Sequence, residues 1–135
     1  MIRPTAAALA LALAGPLAAQ EGDPEAGQQS FAVFCATCHG PAAGGDGPSA
    51  EILTVAPPDL TRLSADNGGS FPLLRVVTRI DGRDPLLAHG APMPVFGPFF
   101  EGEPAALATP AGQPVLTSQP IADLVAWLRS VQVAQ

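Results

Sequence analysis

The sequence contains no lysine and no tyrosine, and it carries little charge of either sign. Charged residues make up 13% of the 135 residues, about half the share found in an average protein. The six basic residues are all arginines, and 12 acidic residues bring the formal net charge to −6. A nucleic-acid-binding protein needs a basic surface that neutralises phosphates, so this composition excludes that class.

Cysteines and aromatic residues are also scarce. The two cysteines, Cys35 and Cys38, can form at most one disulfide, which excludes a disulfide-stabilised scaffold. Six phenylalanines and one tryptophan are few for a core of this size, although a hydrophobic content of 47% predicts a folded chain. With 14 glycines and 16 prolines, we expect a loop-rich domain whose interior is partly filled by something other than side chains.

The first 19 residues predict a secretory signal peptide. Arg3 gives a short cationic start, residues 6–14 are all alanine or leucine, and Gly15-Pro16 would break a helix. The apolar run is shorter than the roughly 20 residues that span a bilayer. We therefore expect cleavage after Ala19, with an uncleaved anchor as the alternative. A single domain over residues 20–135 would then be exported to the periplasm without a stable membrane span.

Helical signals lie at both ends of this domain. Asp23-Pro24-Glu25 is typical of a helix start, because Asp caps free amides and Pro suits the first turn. Near the other end, Ser118 is a predicted cap for a helix with a continuous apolar stripe. The stripe consists of Ile121, Leu124, Val125, Leu128 and Val131.

Between these ends the sequence predicts long loops and one further helix. The spacing of apolar residues predicts that helix over 71–80, and a short helical turn is expected near 49–53. No segment alternates like a strand, and residues 84–117, interrupted by prolines, are predicted as loop. The predicted fold class is all-α.

The pattern C-x-x-C-H occurs at Cys35-Ala36-Thr37-Cys38-His39. Two thiols three residues apart on a helical turn can add across both vinyl groups of one haem, and the following imidazole becomes an axial ligand of the iron. Three other interpretations compete. The cysteines could form an ordinary disulfide, a thioredoxin-like redox pair, or half of a zinc site. The redox pair would need a βαβ unit, and the zinc site would have only His89 to complete it.

A second axial ligand can come from few residues. Met93 is the only methionine that remains after signal removal, and Pro92 and Pro94 fix the backbone around it in an extended form. We expect Met93 to bind the iron, with the alternative that it fills a gap in the core. His89, four residues earlier, is the rival ligand. A Met/His pair raises the reduction potential and favours an electron carrier.

Together these residues resemble the class I c-type cytochromes, including small bacterial members. The resemblance covers nearly all of the chain after the signal peptide. It rests on Gly27-x-x-x-Phe31, Cys35-x-x-Cys38-His39-Gly40, Pro92-Met93-Pro94, Leu124-x-x-Trp127-Leu128, and the loop segments Gly44-Gly45-Asp46-Gly47-Pro48 and Pro57-Pro58-Asp59-Leu60. It implies a cytochrome c-like fold in which the N- and C-terminal helices cross, with Gly27 at the crossing and Trp127 packed there.

The same resemblance implies a monomeric, soluble one-electron carrier that is not an enzyme. One haem c would be bound covalently through Cys35 and Cys38, with its iron between His39 and Met93, and the partners would be redox proteins. Two alternatives keep the fold. The chain could be the cytochrome subunit of a periplasmic dehydrogenase or oxidase complex, or a haem-based ligand-binding sensor in which Met93 is absent from the iron.

The sequence departs from the family in two respects. Residues 96–119 are longer than in the shortest members, and the Phe99-Phe100 pair within them predicts either ordinary packing, which we favour, or an exposed apolar patch. The absence of lysine removes the family's frequent docking mode, so a partner would present a basic face.

Two supporting roles are also expected. The ring of His39 should donate its second nitrogen proton to a backbone carbonyl, for which Pro48 is the predicted acceptor. The haem propionates need cationic partners, for which Arg62, Arg75 and Arg79 are the candidates, although for any one of them a solvated surface residue is the interpretation we favour.

Overall fold

The computed structural model describes residues 21–84 and 93–134. In this part of the chain there are four α-helices and one β-hairpin. Each of these helices is too short or too polar to cross a bilayer. The predicted signal peptide, residues 1–19, lies outside the described residues. The elements are α1 Pro24–Phe34, α2 Ala36–His39, α3 Leu73–Asp81, β1 Pro104–Leu107, β2 Val115–Ser118 and α4 Gln119–Ser130. The helix-dominated architecture confirms the predicted all-α class.

Helix α1 begins as the sequence predicts. The Asp23 carboxylate accepts hydrogen bonds from the Glu25 amide at 2.9 Å and from the Ala26 amide at 3.4 Å, and Pro24 occupies the first turn. These contacts satisfy amides that have no partner inside the helix. The helix then buries Gly27 and Phe31 on its inner face.

Helices α1 and α4 cross in direct backbone contact, as the resemblance implied. A Cβ atom placed on Gly27 would overlap the carbonyl group of Asp123 in α4 and lie 2.9 Å from the Leu124 nitrogen. One turn further along α1, the ring of Phe31 packs on Trp127 with 4.3 Å between centroids. The absence of a side chain at Gly27 is therefore what allows the two helices to approach.

The middle of the chain also follows the prediction. Helix α3 covers most of the predicted 71–80 segment and buries Leu73, Val76, Val77 and Ile80 in the core. A short 3-10 turn at Ala50–Ile52 lies inside the predicted 49–53 turn. Two further 3-10 turns, Leu60–Arg62 and Ala65–Asn67, shape the loop before α3.

The prediction of a continuous loop over residues 84–117 is wrong for its second half. Strands β1 and β2 form an antiparallel pair in which Leu107 lies opposite Val115. Ala105, Leu107 and Val115 are buried, and the Arg83 guanidinium donates to the Leu116 carbonyl at 2.8 Å. Four residues give too short an alternation to identify a strand from its pattern. The hairpin also packs against α4 and accepts the hydrogen bond from Arg83, and the sequence pattern of the strands reveals neither contact.

Ser118 occupies the N-cap position of α4, but its side chain does not cap the helix. Its hydroxyl donates instead to the Phe100 carbonyl at 2.5 Å. The Gln119 amide donates to the Glu103 carbonyl at 2.8 Å, and Pro120 has no amide hydrogen to satisfy. The hairpin thus supplies the acceptor for the first amide of α4, and the Ser118 hydroxyl instead holds the carbonyl of Phe100.

The helix crossing gives a test in which two effects have opposite signs. Gly27→Ala should lower the free energy of unfolding by about 1–3 kcal/mol, because the new methyl group overpacks against the Asp123 carbonyl. Helix propensity alone predicts a gain of about 1 kcal/mol from the same change. Chemical denaturation would measure the difference, with Gln29→Ala on the exposed face of α1 as the control. A stabilised Gly27→Ala protein would contradict the close approach.

Candidate functional site

Cys35, Cys38 and His39 lie on one helical turn that directly continues α1. Cys35 ends α1, and its carbonyl accepts the amides of Cys38 at 3.1 Å and His39 at 2.9 Å. Both thiols are free and half-buried, whereas His39 is only 9% exposed. The structure therefore brings together the two thiols and the imidazole that the motif predicts.

The ring of His39 is held by a backbone carbonyl through one of its two nitrogens. Its Nδ1 lies 3.4 Å from the Pro58 carbonyl oxygen. Burial lowers the pKa of His39, and the hydrogen bond to Pro58 partly opposes that shift. In the neutral tautomer that donates from Nδ1, the Nε2 lone pair remains available for a metal ion. This is the arrangement that orients a histidine ligand and raises its basicity.

The prediction that the Pro48 carbonyl accepts a hydrogen bond from His39 is wrong, because the Pro58 carbonyl occupies that position. The amides on either side of Pro48, Gly47 and Ser49, donate to the carbonyls of Cys38 at 3.1 Å and Thr37 at 2.9 Å. These bonds hold the Pro48 segment alongside the α2 backbone, and the chain must continue to Pro58 before a carbonyl reaches the His39 ring. The sequence marks this second segment with the turn signal Pro57-Pro58-Asp59, but nothing in the sequence pairs it with His39.

Gly45 positions the Pro58 carbonyl from one side. Its amide donates to the His39 carbonyl at 2.8 Å, and its φ of +85° is one that residues with a side chain rarely adopt. A Cβ atom on Gly45 would lie 2.5 Å from the Pro57 oxygen and 3.1 Å from the Pro58 carbonyl carbon. Gly45 thus links the backbone of His39 to the segment that contacts its ring, and sequence analysis missed this role.

Asp59 positions the same segment from the other side. Its carboxylate accepts hydrogen bonds from the Thr61 amide at 2.9 Å and the Thr61 hydroxyl at 2.6 Å, and these bonds lower the pKa of Asp59. The next amide, that of Leu60, donates to the Ala43 carbonyl at 2.8 Å. The residues that follow Pro58 are therefore tied both to their own turn and to the loop that follows α2.

The environment of Cys35 favours an uncharged sulfur. Burial, with a smaller contribution from the neighbouring Cys38, raises the pKa of the Cys35 thiol to about 11. A thiolate is disfavoured in such a position, whereas a thioether carries no charge at any pH. The site is thus compatible with a covalently modified sulfur and unfavourable for a reactive thiolate, which weakens the thioredoxin-like interpretation.

Met93 is half-buried and packs against the hydrophobic core. Three residues later, the Phe96 amide donates to the Ile80 carbonyl at 3.2 Å, which fixes this segment to the end of α3. The rival ligand, His89, lies outside the described residues. Ligation of iron by Met93 stays a prediction.

Comparison with known proteins identifies the family to which the chain belongs. A family model described as cytochrome c matches residues 24–132. The chain belongs to the cytochrome c family. It is therefore a haem-binding electron-transfer protein with haem c as its cofactor. No curated protein and no solved structure matched the chain.

The described residues fit the cofactor of a cytochrome c. Two free thiols with C-x-x-C spacing precede a buried imidazole whose Nδ1 is engaged and whose Nε2 is available. By contrast, the described residues contain no group of three or more His, Cys, Asp or Glu side chains arranged to hold a bare metal ion. This donor set fits haem attachment better than a zinc site.

Several large apolar side chains are exposed on the loop after His39, on α3 and near Met93. Ile52, Leu53 and Val55 are exposed on the loop that links His39 to Pro58, Leu74 is exposed on α3, and Val95 is exposed close to Met93. A separate cavity of about 330 Å³ is lined by Pro24, Leu107, Val125 and other residues of that region, and it includes none of the predicted haem ligands. The chemistry of the donor set, and not that cavity, identifies the site.

The three arginines predicted as propionate partners differ in their surroundings. Arg62 pairs with Asp66 at 3.3 Å, and Arg79 pairs with Asp84 at 2.9 Å. Arg75 is exposed on α3 and forms no ion pair within residues 21–84 and 93–134. Among the described residues, Arg75 is therefore the one of the three whose guanidinium has no carboxylate partner.

The role of Gly45 can be tested against a matched glycine. Gly45→Ala and Gly68→Ala both force alanine into a left-handed conformation, but a Cβ atom on Gly68 has no neighbour within 4 Å. Each change should cost about 1 kcal/mol or more from backbone strain. Gly45→Ala should cost about 1 kcal/mol beyond that, because it displaces Pro58.

Two measurements would check this prediction. Denaturant unfolding gives the stability difference, and ¹⁵N NMR of the histidine ring gives the exchange rate of the Nδ1 proton, which should rise only in Gly45→Ala. Equal effects of the two substitutions on both measurements would contradict the positioning role.

Proposed function

We propose that this protein is a soluble, exported, monomeric carrier of single electrons with one haem c. Cys35 and Cys38 would form the two thioethers, and His39 and Met93 would be the axial ligands. The observation that carries the proposal is the buried His39, held at Nδ1 by the Pro58 carbonyl on the same turn as two free thiols. A periplasmic location is proposed from the signal-peptide pattern of residues 1–19.

When bound, haem c supplies an iron that alternates between the ferric and ferrous states. The protein's own contribution would be to hold His39 and Met93 where their side chains can bind that iron. His39 is oriented by Pro58, and its hydrogen bond makes the imidazole a stronger donor. The Met93 thioether is a soft ligand that favours the reduced state, which raises the reduction potential. If His39 and Met93 both bound the iron, no coordination site would remain for a substrate, so we propose that the protein is not an enzyme.

Ligation by Met93 predicts a spectroscopic signature. The ferric protein should show the weak long-wavelength sulfur-to-iron absorption band, and Met93→Ala should abolish it and lower the reduction potential. The Met93→Ala protein should also bind carbon monoxide when reduced, because an axial position becomes available. His89→Ala is the control and should keep the band. Bound haem without the band in the unaltered protein would contradict ligation by Met93 and favour His89 or an open site, and tight carbon monoxide binding by the unaltered protein would favour the sensor alternative.

Covalent attachment by two thioethers predicts a mass difference. Protein produced with haem-attachment machinery should retain the mass of one haem under denaturing conditions, and the Cys35→Ala, Cys38→Ala double variant should retain none. Thr37→Ala, between the two cysteines, is the control and should remain loaded. A mass corresponding to free or disulfide-linked cysteines in the unaltered protein would contradict the proposal.

A further inference from the structure

Four phenylalanines form a continuous cluster beside the predicted haem-attachment turn. The phenylalanine cluster consists of Phe34 from the end of α1 and Phe96, Phe99 and Phe100 from the segment before β1. The ring of Phe34 lies 5.1 Å from Phe100 and 6.1 Å from Phe99 between centroids, and Phe96 lies 6.3 Å from Phe99. These distances are those of interacting aromatic pairs. The cluster therefore joins the C-terminal end of α1 to the segment before β1.

The members of the cluster differ sharply in exposure. Phe100 is 3% exposed and anchors the cluster in the core, whereas Phe99 is 67% exposed and Phe34 is 37% exposed. The expectation that the Phe99-Phe100 pair is ordinary packing is thus right for Phe100 only. Val33, next to Phe34, is 70% exposed. Neighbouring exposed apolar side chains of this kind mark an interaction surface.

The exposed rings lie close to the proposed redox centre. Phe34 is bonded directly to Cys35, the first predicted thioether position, and its ring contacts Phe99. Electron-transfer rates fall steeply with distance, so a partner seated on these rings would meet the protein where only a short path separates it from the attached cofactor. This location distinguishes the cluster from exposed apolar residues such as Leu116.

The charges beside the cluster indicate the chemistry of that partner. Glu101 and Glu103 lie within three residues of Phe100 in the chain, and both are exposed and form no ion pair within residues 21–84 and 93–134. Of the arginines at the end of α3, Arg79 pairs with Asp84 and Arg83 with Asp81. The two glutamates therefore make the border of the cluster acidic, and the chain contains no lysine.

We propose that the phenylalanine cluster is the docking surface for a redox protein with an apolar centre and a basic rim. The proposal rests on the electron-carrier function proposed above. Complementary charge speeds the encounter, and an aromatic side chain near the centre of an interface supplies much of its stability. A second copy of this chain is a poor occupant, because a symmetric contact would bring the same glutamates together. Anionic membrane surfaces are disfavoured for the same reason.

The test measures the rate of electron transfer from the reduced holoprotein by stopped flow. A lysine-rich c-type cytochrome serves as the basic probe and an acidic blue-copper protein as the acidic probe, while ferricyanide and a cationic cobalt complex report on the redox centre itself. Phe99→Ser should slow transfer to the basic probe about tenfold and leave both small-complex rates within about twofold. The matched control is Leu116→Ser, because Leu116 is 64% exposed and does not belong to the phenylalanine cluster.

A second variant tests the acidic border separately. Glu101→Gln with Glu103→Gln should slow transfer to the basic probe several-fold at low salt and flatten its dependence on ionic strength. Docking at the cluster is overturned if Phe99→Ser behaves like Leu116→Ser. It is also overturned if the unaltered protein reacts no faster with the basic probe than with the acidic one. If the protein fails to exchange electrons even with the small complexes, the electron-carrier proposal itself fails.

Discussion

The backbone contact between α1 and α4 at Gly27 is the constraint on which the rest of the structure depends. It fixes the direction in which α1 leaves the core, and α1 continues directly into the turn that carries both cysteines and His39. The Phe31 ring extends this contact, since it packs on Trp127 at 4.3 Å and lies 6.5 Å from the His39 ring. An aromatic pair of this kind adds about 0.5–1.5 kcal/mol beyond the burial of its surface. A shift of α4 would therefore be transmitted to the histidine through two ring contacts.

The residues that follow α4 also hold the segment whose carbonyl contacts the His39 ring. The Gln132 side-chain amide donates to the Leu60 carbonyl at 2.8 Å, and its oxygen accepts the Ser64 amide at 2.8 Å. The Val133 amide donates to the Thr61 carbonyl at 2.9 Å. These bonds anchor the segment that begins at Pro58, whose carbonyl orients His39. Helix α4 and the residues that follow it thus position His39 in two ways, through the ring that packs beside it and through the segment that supplies its hydrogen-bond acceptor. This explains how a loop rich in glycine and proline can hold the imidazole in place.

Local patterns predicted the features whose causes are local. Asp23 caps α1 because the amides that donate to its carboxylate are only two and three residues further along the chain. The C-x-x-C-H spacing likewise places its side chains on one helical turn, independently of the rest of the chain. Features that depend on distant residues were beyond the sequence. Ser118 has a side chain that can cap a helix, but in the folded chain its hydroxyl donates to the Phe100 carbonyl instead. Pro48 and Pro58 are chemically equivalent acceptors, and only the path of the loop against α2 decides between them.

Residues 96–119 present an exposed aromatic side chain from a segment that is held by hydrogen bonds. The Ser118 hydroxyl holds the Phe100 carbonyl, and the Gln119 amide holds that of Glu103, so the exposed Phe99 directly precedes a buried ring that is bonded to the hairpin. Leaving a phenylalanine exposed forgoes about 1.5–3 kcal/mol of burial free energy, which is a cost that a binding partner can recover. A preorganised surface loses little entropy on binding, yet one or two rings give only a small contact area. Small, weak contacts of this size are characteristic of redox encounters. A carrier must dissociate after each electron, so a rigid but limited apolar surface with an acidic border satisfies both requirements: rapid recognition and rapid release.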